Sequence, residues 1–231
     1  MQIDVRHKNF GATQILDWIE LSIGKGEIVA LTGPSGVGKT TLLRIIAGLD
    51  KDFQGSVTDP GRIAMVFQSP TLLPWRNAVQ NLTLTTGADP RAAIRLLEEV
   101  GLEGKADFFP GQLSLGQQRR LALARALAAD PATLLLDEPF ISLDEDTAAR
   151  MRQLTMKVLE DRRIATLIVT HDLIEAATFA DRVAILAGRP ASIETIASIS
   201  TPRHARDPVK EADALRAVMP SSSNSAHGKL T

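Results

Sequence analysis

The chain has 231 residues, 44% of them apolar and 23% charged, an ordinary balance for a globular protein long enough for one large α/β domain or two small ones. A formal net charge of −1 excludes the basic field that a nucleic-acid binder carries. The absence of cysteine excludes disulfides, thiol catalysis and thiolate metal sites, and fits a reducing compartment.

The opening residues, MQIDVRHKNF, lack the apolar centre of a signal peptide. No apolar run approaches the ~18 residues that cross a bilayer. The chain is therefore expected in the cytosol, with any membrane role acting through a partner. QIDVRH and QILDWIELSI alternate apolar and polar residues, the pattern of antiparallel strands with one covered face. EIVALT (27–32) is a buried strand, followed by a helix over KTTLLRIIAGL. RIAMVFQ (62–68) is the next strand. From Gln68 to Asp130 the pattern is helical, including PRAAIRLLEEVGL and GQQRRLALARALAAD, and predicts a helical lobe over about 69–130 inserted in the sheet domain. ATLLLD (132–137), ATLIVT (165–170) and RVAILA (182–187) are further strands, the first two separated by a helix over EDTAARMRQLTMKVLED. DPVKEADALRAVM predicts one more helix, with no role assigned. The small, polar end MPSSSNSAHGKLT predicts a disordered tail at 219–231, leaving 1–218 as the domain. The whole is α/β: a mostly parallel sheet with an N-terminal antiparallel part and an inserted helical lobe.

GPSGVGKT (33–40) matches G-x-x-x-x-G-K-[ST] at every fixed position, after a strand and before a helix. Gly33, Pro34, Ser35, Gly36, Val37, Gly38, Lys39, Thr40 and Thr41 are the expected nucleotide contacts. Glycines let backbone N–H groups turn toward phosphate oxygens, and the helix start adds partial positive charge. Lys39 would reach the β- and γ-phosphates, and the Thr40 hydroxyl would bind Mg2+. LLLDEP (134–139) puts two carboxylates at the end of an apolar strand, where such sheets bind ligands. Asp137 is expected to hold Mg2+ and Glu138 to polarise an attacking water as general base. Taken alone, each stretch is also a plain turn: glycine-rich in the first case, acidic in the second.

LSLGQQRR (113–120) has Ser114 and Gln117 at capping-box spacing. Taken alone, it is the capped start of a buried helix. The order of phosphate loop, LSLGQQRRLALARAL and LLLDEP, however, closely resembles the ATP-binding subunit of ABC transporters, over the stretch from Phe10 to about Leu186. The resemblance makes LSLGQ the signature segment, with Ser114, Gly116 and Gln117 contacting the γ-phosphate of ATP held by the other subunit of a head-to-tail homodimer. Leu115 departs from the family, which usually has glycine there; the capping box makes it the first helical residue.

The resemblance also implies that Gln68 touches Mg2+ and the attacking water. Asp144, in SLD, would cross the dimer interface; alone, it is also a helix N-cap. His171, in THD, would donate a hydrogen bond to the γ-phosphate or to Glu138; alone, it is a strand-end histidine in a turn. Phe10 stands where the family stacks an aromatic, usually tyrosine, on adenine; alone, it is a core residue. The loop LLPWRN, with Leu72, Leu73, Pro74, Trp75 and Asn77, would meet an integral membrane permease. Its wording is similar to the importers for nitrate, sulfonate and taurine, which use an extracytoplasmic binding protein. The resemblance thus implies ATPase activity coupled to uptake, on the cytoplasmic face of the membrane. A soluble ABC-type ATPase is the second expectation. A P-loop kinase or GTPase is the third, though neither needs LSLGQ or SLD.

Overall fold

The computed structural model describes residues 1–218, and the tail expected at 219–231 lies outside them. The chain divides into two compact units, one made of Met1–Pro60 and the described residues from Ala165 onward, the other of Gly61–Ile164.

The first unit opens with a hairpin, β1 (Gln2–Phe10) and β2 (Thr13–Ser22), paired antiparallel from Gln2↔Ser22 to Phe10↔Thr13. Alternation sends Ile3, Val5, Leu16, Ile19 and Leu21 inward and leaves Arg6 and Glu20 exposed. β3 (Ile28–Thr32) is buried along its whole length. It pairs in parallel with β7 (Ala165–Val169) and β8 (Arg182–Gly188), which explains why all three read as apolar runs. β4 (Gln54–Thr58) extends the antiparallel edge beside β1, and β9 (Ala191–Ser198) returns antiparallel along β8. The strand order in this unit is β4-β1-β2-β9-β8-β3-β7. Three helices complete it: α1 (Lys39–Ile46), α6 (Leu173–Phe179) and α7 (Pro208–Val218). Leu42, Leu43, Leu167, Ile168 and Val183 are fully buried, each worth about 1.5–3 kcal/mol of hydrophobic stabilisation.

The second unit holds the parallel pair β5 (Ile63–Val66) and β6 (Thr133–Asp137), with Val66 opposite Leu136. Four helices accompany them: α2 (Ala78–Thr86), α3 (Pro90–Glu99), α4 (Leu115–Ala128) and α5 (Glu145–Arg162). Their starts follow the capping chemistry in the sequence. Asn77 and Gln80 form a capping box on α2, Asp89 with Pro90 starts α3, and Asp144 caps α5. Leu121, Ala122, Leu123, Ala124 and Leu127 bury most of the circumference of α4, as expected of an internal helix. The stretch 68–130 contains helices and no strand among the described residues. The strand predicted over 62–68 stops at Val66, because its partner β6 ends at Asp137, so Gln68 lies in the turn beyond.

Candidate functional site

In the first unit, β3 ends at the buried Thr32 and the chain turns sharply. Gly33 has φ +148, and a Cβ there would lie 2.2 Å from the Leu186 carbonyl oxygen on β8, so only glycine fits. Gly38, at φ +121, is the N-cap of α1, and a Cβ would meet Leu16 Cδ2 at 2.7 Å. No side chain caps this helix, and its first turn holds no acidic residue. Lys39 is only 6% exposed. Its Nζ donates to the carbonyls of Gly33 (2.7 Å) and Pro34 (2.9 Å), and the Val37 N–H donates to Pro34 O at 3.3 Å. Pro34, Ser35, Gly36 and Thr40 are exposed along the loop, and Thr41 is half-buried. A glycine-turned loop, a helix start without a side-chain cap and a held ammonium fit a polyphosphate anion.

Phe10 is not a core residue: it closes β1 and is 55% exposed. Its ring lies 4.8 Å from Lys8 Nζ. Lys8 is buried, and Nζ donates to Asp50 Oδ1 (2.9 Å) and to the Asp52 carbonyl (2.6 Å). The hydrogen bond to Asp50 holds the Lys8 ammonium above the usual lysine range and the Asp50 carboxyl below the usual carboxylate range. The sequence reading missed Lys8, and the sequence carries no signal for it: Lys8 has the parity of the exposed Arg6 rather than of the inward Ile3 and Val5, and it turns inward where the β1 register shifts.

His171 is exposed, in the turn between β7 and α6. The turn is fixed on both sides. Thr170 Oγ1 donates to Glu175 Oε2 (2.7 Å) and accepts from the Asp172 N–H (3.0 Å), while Asp172 Oδ1 accepts from the Ile174 N–H (2.8 Å).

In the second unit, Asp137 closes β6 and is 6% exposed. Glu138 follows with φ +45, a left-handed backbone that costs of order 1–3 kcal/mol for a non-glycine residue. The turn is held from α4: Arg119, 6% exposed, donates through Nη1 to the Pro139 carbonyl at 2.6 Å. α4 begins at Leu115 with a complete capping box. The Gln117 N–H donates to Ser114 Oγ (3.3 Å) and the Ser114 N–H donates to Gln117 Oε1 (3.0 Å). Gly116 is buried against α5, where a Cβ would meet Thr147 Cγ2 at 2.6 Å. The Thr147 N–H in turn donates to Asp144 Oδ1 at 3.0 Å, which holds the Asp144 carboxyl below the usual range. Ser114, Gly116, Gln117 and Asp144 therefore lie on two adjoining helix starts.

Gln68 is exposed and leads into the loop carrying Trp75, which is 67% exposed. The loop is clamped by two residues the sequence reading passed over. Asn81 on α2 is fully buried; its Oδ1 accepts from the Leu73 N–H (2.8 Å), and its Nδ2 donates to the carbonyls of Leu73, Arg76 and Asn77. Arg125 on α4 donates to the carbonyls of Thr71 (2.8 Å) and Pro70 (3.2 Å). A polar residue on the inward spacing of Ala78 and Leu82 is the signal for Asn81.

A family profile described as ABC transporter matches residues 16–141. An aliphatic sulfonates import ATP-binding protein of Pseudomonas syringae pv. syringae is 45% identical over 214 residues, covering 90% of each chain. The protein of that name from Granulibacter bethesdensis is 49% identical over 204 residues, covering 87% of this chain and 85% of its own. Among solved structures, a dimeric ATP-binding cassette in a post-hydrolysis state, bound to ADP and Pi, aligns with a TM-score of 0.72 at 31% identity, covering 87% of this chain and 99% of that one. The chain therefore belongs to the ABC transporter family, as an ATP-binding subunit that hydrolyses ATP.

Proposed function

We propose that this protein drives an importer of aliphatic sulfonates, as a homodimer on the cytoplasmic face of the membrane beside a separate permease. The observation that carries the reading is the match, over nine-tenths of both lengths, to a protein named for aliphatic sulfonate import. The dimeric state of the solved cassette supports the homodimer. No helix among the described residues is long and apolar enough to cross a membrane, and in this reading the permease supplies the spanning path. The clamped loop with its exposed Trp75 is a suitable contact for that permease, which in turn would receive cargo from an extracytoplasmic binding protein.

In this reading each ATP is held by the phosphate loop of one subunit, with Phe10 stacked on adenine. Ser114, Gly116, Gln117 and Asp144 of the other subunit close over the γ-phosphate. Thr40, Asp137 and Gln68 offer hydroxyl, carboxylate and carboxamide oxygens, the hard donors that suit Mg2+. Mg2+ would neutralise charge on the β- and γ-phosphates. Glu138 takes a proton from the attacking water, and His171 donates a hydrogen bond to the γ-phosphate or to Glu138. ATP favours the closed dimer through its contacts on both subunits, and hydrolysis removes that preference.

The test is uptake of a labelled alkanesulfonate, with taurine and nitrate as competitors, by cells carrying either the wild-type subunit or Glu138→Gln. Wild type is expected to support alkanesulfonate uptake. Glu138→Gln keeps ATP affinity within about twofold and loses about 10²–10⁴ in turnover, the range for a general base, abolishing uptake. Normal ATPase activity in Glu138→Gln would remove its assigned role. Uptake competed away only by nitrate would reassign the cargo. ATPase activity indifferent to any membrane fraction would favour a soluble ATPase.

A further inference from the structure

We propose that Arg206, in the C-terminal segment to which neither the motifs nor the family match gives a role, is a positioning residue for His171. The proposal rests on the catalytic reading of His171 given above. α6, which follows His171, has only seven residues, well short of the ~12 at which an isolated helix becomes even marginal in water. Its conformation must therefore be imposed by its surroundings. Ala176, Ala177 and Phe179 bury one face completely, and α7 packs against it through the buried Ala212 and Leu215.

The two ends of α6 are held by different devices. Asp172 caps the start, one residue from His171. At the far end the last carbonyls have no partner within the helix. Arg206 supplies one: Nη1 donates to the carbonyls of Ala177 (3.2 Å) and Ala180 (2.7 Å). Its Nε donates to the Thr201 carbonyl (2.7 Å), which fixes the guanidinium itself. The Arg206 side chain is 2% exposed, so water cannot readily replace it. A cation at a helix C-terminus also complements the helix dipole.

Asp181, just after α6, extends the brace. Its Oδ2 accepts from the Ile28 N–H (2.9 Å) and pairs with Arg203, and its Oδ1 lies 3.8 Å from Arg206 Nη2. Ile28 is the first residue of β3, the strand that runs into the phosphate loop. The C-terminal segment thus ties the end of α6 to the base of that strand. At a rise of about 1.5 Å per residue, the brace acts on His171 over about 10 Å of helix. Loss of Arg206 leaves two buried carbonyls without their donor and lets α6 fray from its end toward the histidine. Lys39 and the phosphate loop keep their own contacts.

The experiment compares wild type, Arg206→Met, Arg206→Lys, His171→Ala and the Arg206→Met/His171→Ala double variant in single- and multiple-turnover ATP hydrolysis. Amide hydrogen exchange of the folded proteins accompanies it. Arg206→Met is expected to lower kcat about 5- to 20-fold with KM for ATP within about twofold, and Arg206→Lys to recover part of the loss. With His171 already removed, Arg206→Met should change kcat by less than about twofold, because both substitutions act through one group. The amides of Ala176 and Ala180 should exchange at least about tenfold faster, and those of Ala30 and Leu31 unchanged. Arg206→Lys carries the same comparisons if the methionine variant does not fold. An equal loss in both backgrounds would mark Arg206 as merely structural and overturn the proposal. So would normal kcat in Arg206→Met alongside a His171→Ala defect. Full turnover in His171→Ala would remove the catalytic reading beneath it, and the proposal with it.

Discussion

Two helix starts in this protein are assigned to phosphate, and they are built in opposite ways. α1 begins at a glycine, with no side-chain cap and no acidic residue in its first turn, and a buried lysine is drawn onto the loop before it. α4 begins with a reciprocal box in which Ser114 and Gln117 satisfy each other's backbone N–H groups. The first carries no side-chain cap that an anion would have to displace; the second holds its own. That difference suits the proposed division of labour. A loop that binds ATP on its own chain can be left expectant. A segment that meets ATP only when a second subunit arrives must stay folded in the meantime, and must exchange its internal hydrogen bonds for the phosphate.

Removing the cation from the expectant start should produce the larger effect. Lys39→Ala loses a charge-assisted contact to phosphate, and ATP affinity should fall at least about 100-fold. The helix itself should survive, since Leu42, Leu43, Ile45 and Ile46 still bury its apolar face. Equilibrium titration with a fluorescent ATP analogue measures the loss. Affinity within a few fold of wild type would leave α1 without the role that separates it from α4.

Damage to the self-contained start should read differently. Ser114→Ala removes the cap at a cost of about 1 kcal/mol. ATP binding to the separated subunit should stay within about twofold, while ATP-driven dimerisation weakens about five- to tenfold for each ATP site that loses the Ser114 hydrogen bond to phosphate, a bond worth about 1 kcal/mol. Sedimentation with the hydrolysis-blocked Glu138→Gln subunit, with and without Ser114→Ala, checks this. Dimerisation unchanged by the loss of Ser114 would reduce the box to a helix cap and nothing more.

Both starts were legible in the sequence because each depends on residues next to one another. The phosphate loop follows an apolar strand, and the box follows from serine and glutamine three apart. What escaped depends on distant partners. β4 is mostly exposed and without apolar alternation, and it forms because β1 offers an edge to QGSVT. β9 is half-exposed, its isoleucines mixed with serine, threonine and glutamate, and it exists as the partner of β8. α6 is too short to show a helical period. Arg119, Arg125, Arg206 and Lys8 look like ordinary polar residues until the fold brings their carbonyl or carboxylate partners to them, and only Asn81 carries a local sign, its inward helical spacing. Gln68 was found but set on the strand rather than past it, since the apolar run does not mark where β6 stops supplying hydrogen bonds.

Leu115 gives the smallest expected effect and the sharpest contrast between the two starts. Glycine is indispensable before α1, where φ is +121 and the space for a Cβ is filled. Leu115 is absent from the residues with positive φ and is the first residue of α4, so its backbone asks nothing of glycine. Its side chain is 42% exposed and contributes little packing to its own subunit. Leu115→Gly should therefore cost no more than about 1 kcal/mol of helix stability and leave ATP-driven dimerisation within about threefold. A rise above tenfold would mean that the leucine side chain obstructs closure, and that this subunit is tempered at the residue where it departs from its family. A fall of that size would mean that the leucine packs on the other subunit, making the departure part of the interface.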